Sequence, residues 1–263
     1  MLSVTDQIGN VVTLKNTPQR IVSVVPSQTE LLYHLGLANG IAGITRFCIH
    51  PANQVKYMQK VGGTKQLDID LIKTLNPDLI IANKEENERK QVEELMALYP
   101  TYISNPITLP GALDMIGNIG ELVGAGKAAH RLSVNIRREF DRLAYVKPLG
   151  LKAAYLIWRK PYMIAGTDTF INDMLQRSGF KNAFNQDRYP EVTMEQLIAV
   201  RPDVVLLSSE PYPFKQKHAD EFQQALPGAI IKLVDGEMFS WYGSRLLYAP
   251  EYFIGLTDSI AAC

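Results

Sequence analysis

The sequence predicts an α/β protein of two Rossmann-like lobes with parallel sheets, joined by one long spine helix, with a cleft between the lobes. Three observations carry this expectation. Short, nearly all-apolar runs of strand length alternate with helical stretches, the pattern of parallel sheets covered on both faces. The block Leu67–Ile81 recurs at Val192–Leu206, offset by 125 residues without a gap and with its Pro-Asp step in register. Between the copies lies an amphipathic stretch long enough to form a connecting helix.

Composition narrows the class before any motif is considered. The chain has 263 residues, 27 basic and 27 acidic side chains, and 46% hydrophobic content. That is enough chain for two buried cores, and it excludes collagen-like and disordered polymers. A formal net charge of zero with no basic stripe gives no footprint for nucleic acid. Cys48 and Cys263 cannot build a disulfide framework, and no CxxC pair suggests zinc. No apolar run reaches the roughly 18 residues needed to span a bilayer. Met1–Gln7 carries neither a basic n-region nor an apolar h-region. The expectation is therefore cytoplasmic if Met1 is the native start, and periplasmic or surface-anchored if a leader was removed.

In chain order, residues 4–14 read as a hairpin around Gly9-Asn10. Arg20–Val25 is a strand ended by Pro26, and Ser27-Gln28-Thr29-Glu30 has the spacing of a capping box. The helix that follows, with Leu31, Leu32 and Leu35 inward, stops at Gly36. Strands are expected at Gly40–Thr45 and Asp78–Ala82. Each copy of the repeat reads as a cap, a two-turn helix, a Pro-Asp turn and a buried strand. A weaker echo relates Arg20–Gly36 to Ala153–Gly179. Leu113–Val123 is one amphipathic piece, interrupted at Gly124-Ala125-Gly126. A second piece runs from about Lys127 to Val146, about 30 Å of helix, with Leu132, Ile136, Phe140 and Leu143 on one stripe. Pro148 and Gly150 end it. The expected division is an N-terminal lobe over 1–124, the spine helix over 125–148 and a C-terminal lobe over 149–263. So stiff a connector predicts a fixed cleft that opens and closes little.

Catalytic signatures are missing from the sequence. No HExxH, GxSxG, P-loop or EF-hand pattern occurs, and the chain is expected not to be an enzyme. Gly124-Ala125-Gly126 approximates a dinucleotide fingerprint but lacks the strand that must precede it. His34, His50, His130 and His218 do not converge at metal-ligand spacing, so no metal site is expected. Cys48 and His50 share a face of an extended segment, yet nothing else of a thiol active site accompanies them, and an inert buried thiol is expected. What stands out is a set of arginines and aromatics at predicted loop ends: Arg46 and Phe47 in the first lobe, then Trp158, Arg159, Arg188, Tyr189, Trp241, Tyr242 and Arg245 in the second. Loops after parallel strands gather at the carboxyl edge of a sheet, where open α/β folds bind ligands. Flat rings and guanidinium groups suit a large ligand bound by stacking and charge-assisted hydrogen bonds.

Several motifs together resemble the substrate-binding proteins of ABC importers that have a single rigid spine helix. They are Asp6–Asn10, Pro18–Ser23, Pro26–Leu32 with Leu35-Gly36, and the two Pro-Asp units. The resemblance covers nearly the whole chain. It implies a ligand cleft between lobes, capture of cobalamin, a ferric siderophore or haem, delivery to a membrane permease, no cofactor beyond the transported ligand, and a monomer. The cobalamin-binding branch is matched by Phe47, by His50-Pro51 and by Tyr189-Pro190. A cleft tryptophan of that branch corresponds here to about Thr64, which is a departure. By the same resemblance, permease docking falls to one carboxylate per lobe, at Asp70 and Glu195. Three alternatives stay open at this point: a corrinoid receptor, a receptor for ferric siderophore or haem, and a cytoplasmic corrinoid-handling protein or enzyme on the same scaffold.

Overall fold

The computed structural model describes residues 2–262, so the expectation for Cys263 lies outside the described residues. Contacts divide the chain into two compact units. Unit 1 holds the residues up to Pro106, with Pro110–Asn135 and Tyr242–Arg245, and unit 2 holds Ile107–Leu109, Ile136–Trp241 and the chain from Leu246 onwards. This division differs from the contiguous one expected at 124/125 and 148/149. It assigns the halves of one helix to different units and groups four late residues with the first.

Unit 1 begins with an antiparallel hairpin of β1 (Leu2–Thr5) and β2 (Val11–Leu14). The Asp6 carboxylate accepts from the amides of Ile8 and Asn10, at 3.0 and 2.7 Å, and Gly9 supplies the positive φ that the turn requires. Next come β3 (Ile21–Ser23), α1 (Pro26–His34), β4 (Ile41–Ile44), α2 (Ala52–Val55), the short pair β5 (Gly62–Gly63) and β6 (Gln66–Leu67), and α3 (Ile69–Leu75). β7 (Leu79–Asn83), α4 (Arg89–Met96) and β8 (Thr101–Ser104) complete a sheet of order β4-β3-β7-β8, parallel throughout. One face packs Val22, Ile80, Ala82 and Ile103 against Ile72 of α3 and Val92 and Leu95 of α4.

α5 (Leu109–Leu122) and α6 (Gly126–Asp141) follow, broken at Gly124, whose φ of 71° only glycine adopts without strain. A Cβ on Gly120 would lie 2.3 Å from that of Ala129, so glycine is what lets α5 approach α6 this closely. The connecting helix is shorter than expected. It ends at Asp141, and Arg142–Tyr145 wind into a 3-10 turn. Ala129, Leu132, Ile136 and Phe140 form its buried stripe.

Unit 2 contains β9 (Lys152–Trp158), β10 (Tyr162–Ile164), α7 (Phe170–Arg177), β11 (Lys181–Asn182), β12 (Glu191–Val192), α8 (Met194–Val200), β13 (Val204–Ser208), α9 (Gln216–Ala225), β14 (Ile230–Val234), α10 (Glu237–Ser240) and α11 (Ala249–Ala261). Its sheet has the order β12-β10-β9-β13-β14, with β11 alongside β9. β9, β11, β13 and β14 are parallel, whereas β10 pairs antiparallel with both β9 and β12. The second sheet is therefore mixed at one edge, a difference from the all-parallel expectation.

The repeat is structural down to single hydrogen bonds. α3 and α8 start and stop at positions 125 residues apart. The N-cap side chains of Asp68 and Thr193 accept from the amides of Leu71 and Gln196. Asn76 and Arg201 close the two helices in the left-handed region. Asp78 then accepts from the amides of Gln19 and Arg20 at 2.7 and 3.0 Å, and Asp203 from that of Lys152 at 2.7 Å. Each Pro-Asp turn thus ties the start of its strand to the neighbouring strand, which explains why the step is kept in register. The fainter echo is also real in shape: α1 and α7 are followed by Gly36 and Gly179, both with φ of 87°.

One local expectation fails. Ser27 is not an N-cap, because α1 begins at Pro26 with Val25 as its cap residue and no capping side chain. Proline at the first position, with its φ already helical, moves the start upstream. Ser27 Oγ is buried without a hydrogen-bond partner, and Glu30 is engaged elsewhere.

Candidate functional site

In unit 1 the strands of the parallel sheet terminate in polar residues that are buried. Ser23, Thr45, Asn83 and Ser104 close β3, β4, β7 and β8 at their carboxyl ends. They are bonded into one floor. Thr29 donates to Ser23, Asn83 donates to Ser104 Oγ at 3.0 Å, and Gln28 of α1 reaches the same hydroxyl. Asn87 donates to the carbonyls of Val24 and Thr64. Sequence reasoning missed this layer, although its signal was present as a single polar residue at the end of each apolar run.

Arg46 and Phe47 sit on the loop that leaves β4 above this floor. Phe47 is 50% exposed, and the Arg46 guanidinium lies over its ring, 5.2 Å from the centroid. Both side chains run close to Gly63, where a Cβ would meet each of them at 3.1 Å. Cys48, two residues from His50, is buried with its sulfur 3.2 Å from the hydroxyls of Thr29 and Thr45. Burial pushes this thiol up, and the chemistry is that of an inert side chain.

In unit 2 Trp158 ends β9 at the carboxyl edge and is 39% exposed. Its ring meets Tyr212 edge-on at 5.7 Å, and Tyr212 in turn packs on Phe214 and His218. His218 is buried. Its Nδ1 accepts from the Lys215 amide at 2.9 Å, and desolvation lowers its affinity for a proton. Arg188 and Tyr189 are partly exposed, with the guanidinium 5.9 Å from the tyrosine ring centroid. They lie along the sheet edge rather than at a carboxyl end. The Gly166 amide donates to the Arg188 carbonyl and that of Ile164 to Pro190, a register running down β10 away from Trp158.

The remaining arginines and aromatics of the expected set are engaged in internal contacts. Trp241 is buried and donates its indole N–H to Glu210 at 2.8 Å. Tyr242 is buried and its hydroxyl donates to Glu86 at 2.7 Å. Arg245 makes a two-pronged ion pair with Glu30, at 2.6 and 3.1 Å, with both side chains under 20% exposed. Arg159 grips Glu221 through two bonds of 2.9 and 2.7 Å. The open positions of the set are therefore Arg46, Phe47 and Trp158, with Arg188 and Tyr189 half-buried. A groove of about 400 Å³ exists in unit 1, lined by Val11, Val12, Met96, Leu98 and Tyr99. It lies at the amino end of β8, away from the carboxyl-edge loops.

Asp70 and Glu195 occupy the second position of their matched helices, and both are exposed. Helix N-termini favour carboxylates there. Thr193 and the residue's own amide hold Glu195 below the usual carboxylate range, whereas Asp70 has Lys73 at 3.5 Å. Among the described residues no group of histidine, cysteine, aspartate and glutamate side chains is disposed to hold a metal ion. No helix among them is long and apolar enough to cross a membrane.

The sequence profile of the family described as "Periplasmic binding protein" matches residues 21–229. The chain belongs to the periplasmic binding protein family. This periplasmic binding protein is 27% identical over 264 residues to the uncharacterized ABC transporter substrate-binding lipoprotein YvrC of Bacillus subtilis, covering 95% of this chain and 83% of that one. It is 26% identical to the vitamin B12-binding protein of Vibrio campbellii, over 72% and 70% of the two chains. Among solved structures, the vitamin B12 binding protein BtuF of Vibrio cholerae superposes with a TM-score of 0.77 at 22% identity, over 93% and 98%. A periplasmic heme binding protein from Pseudomonas aeruginosa gives 0.78 at 21%, over 92% of each chain. Likenesses this distant show the fold. The family is one of binding proteins rather than enzymes, in keeping with a site made of rings, guanidinium groups and carboxylates.

Proposed function

We propose that this periplasmic binding protein captures a corrinoid ligand of the cobalamin type and presents it to the membrane permease of an ABC importer. Two half-exposed aromatic rings at carboxyl-edge loops, Phe47 and Trp158, support this reading. A corrin ring is broad and largely apolar on its faces, and flat side chains contact such a surface at low entropic cost. Vitamin B12-binding proteins among the relatives point the same way. Arg46 stands beside Phe47 as a hydrogen-bonding partner, with its guanidinium over the ring. Asp70 and Glu195 would engage basic residues of the permease, one carboxylate from each copy of the repeat.

Haem or a ferric siderophore is the second reading. The cationic Arg46 and Arg188, each set over a neighbouring ring, favour it because such ligands carry carboxylate or other anionic groups. Tryptophan fluorescence separates the readings. Trp241 is buried and bonded to Glu210, so a ligand at the carboxyl edge of unit 2 acts on Trp158. Saturable quenching by cyanocobalamin, diminished in Trp158→Phe, is the expected result. Quenching by haemin or a ferric hydroxamate alone would overturn the corrinoid assignment in favour of the second reading.

A further inference from the structure

We propose that the outer face of α6 is a docking surface for an anionic phospholipid bilayer. Lys127, Arg131, Val134 and Arg138 recur at spacings of four, three and four residues, which sets them in line along one side of a helix. Arg142 and Tyr145 continue the line into the 3-10 turn. All six are exposed: Val134 is 49% accessible, Arg138 72% and Tyr145 92%. Arg137 adds a further exposed cation. Against these stand the exposed Asp141, Glu139, which pairs with Arg142 at 2.7 Å and Arg138 at 3.7 Å, and Glu251, which pairs with Arg142 at 2.8 Å. Lys127, Arg131 and Arg137 therefore carry most of the net positive charge. The chain as a whole has zero formal charge, so this concentration of cations is local to one element.

The opposite stripe of the helix, from Ala129 to Phe140, is buried in the fold, so α6 cannot insert into lipid by rolling over. Attachment by the exposed face is electrostatic, with Val134 and Tyr145 touching the headgroup level, where tyrosine is favoured. Such attachment is reversible and screened by salt. A receptor that delivers cargo to a membrane permease gains from being held at the bilayer surface, because its search is then confined to two dimensions. None of the residues proposed to touch ligand is involved, so this inference and the ligand assignment fail separately.

The test is co-sedimentation of the full chain with vesicles of phosphatidylcholine, with and without phosphatidylglycerol, at low and high salt. Binding to the phosphatidylglycerol vesicles alone, lost at high salt, is expected. Each cation near an anionic surface gives about a fivefold gain in affinity, so Lys127→Glu with Arg131→Glu and Arg138→Glu lowers binding by at least about a hundredfold. All three side chains are exposed, and an unchanged thermal midpoint verifies that the variant is folded. Equal binding by wild type and variant would overturn the proposal. So would retention on immobilised polyglutamate with no binding to phosphatidylglycerol vesicles, which would make an acidic protein the occupant.

Discussion

Asn76 and Arg201, 125 residues apart, end their helices in nearly the same left-handed conformation, with φ/ψ of 45°/64° and 48°/66°. Each donates its amide to the carbonyl three residues back, and each is followed by the Pro-Asp step. Asparagine tolerates this region readily, whereas arginine occupies it at a conformational cost. Arg201→Gly is therefore expected to stabilise the protein by about 0.5–1 kcal/mol, a rise of a few degrees in Tm. Asn76→Gly should be close to neutral, and Asn76→Val destabilising. Thermal unfolding of the three variants measures the contrast.

The Arg245–Glu30 pair predicts a structural role for an arginine first grouped with ligand contacts. Both side chains are largely covered, and removing one partner leaves the other charge buried. Arg245→Ala should cost about 3 kcal/mol in chemical denaturation. The double variant Glu30→Gln/Arg245→Met should recover part of the loss. A loss of ligand affinity with unchanged stability would instead return Arg245 to the ligand.

Glu210 carries a pH dependence. Its carboxylate is partly buried, accepts from Ser240 at 2.6 Å and Trp241 at 2.8 Å, and has Glu237 and Asp235 nearby. Burial foremost pushes its pKa up, above the value in the unfolded chain. The folded state then holds its proton more tightly, so the contribution of this group is fully present below about pH 4.3 and is lost as pH rises through the folded pKa. Glu210→Gln keeps an acceptor for both bonds without the charge. Its stability relative to wild type should rise between acidic and neutral pH, read as denaturation midpoints. A constant difference across that range would contradict the assignment.

Charge reversal at Asp70 and Glu195 separates binding from delivery. Both side chains are exposed at helix starts, so the double variant Asp70→Lys/Glu195→Lys should fold and bind ligand normally. Uptake of labelled ligand through the cognate permease should fall at least tenfold. Unchanged uptake would show that the permease reads other residues.

Much of the fold was legible because its signals are local. The caps at Asp68 and Thr193, the Pro-Asp turns and the apolar runs of β7 and β13 are each set within a few residues. Signals from distant partners were not legible. Arg245 meets Glu30 across 215 residues and Tyr242 meets Glu86 across 156, and nothing in a short window distinguishes a guanidinium aimed at ligand from one aimed at a buried glutamate. The capping-box pattern at Ser27 misled for the opposite reason. A stronger local signal, Pro26, fixed the helix start two residues earlier, with Val25 rather than Ser27 as the cap. Of the candidate contacts, a rule about strand ends anticipated the exposed placement of Phe47 and Trp158, and Trp241, which is buried, was not separable from them by composition alone.

The central claim is capture of a corrinoid with Phe47 and Trp158 as its aromatic contacts, and isothermal titration calorimetry with cyanocobalamin tests it most directly. One-to-one binding is predicted for the wild type, weakened about tenfold or more by Phe47→Ala and by Trp158→Ala, with a cooperative thermal transition verifying that both variants are folded. Absence of heat with cyanocobalamin, or affinity indifferent to both substitutions, would contradict it.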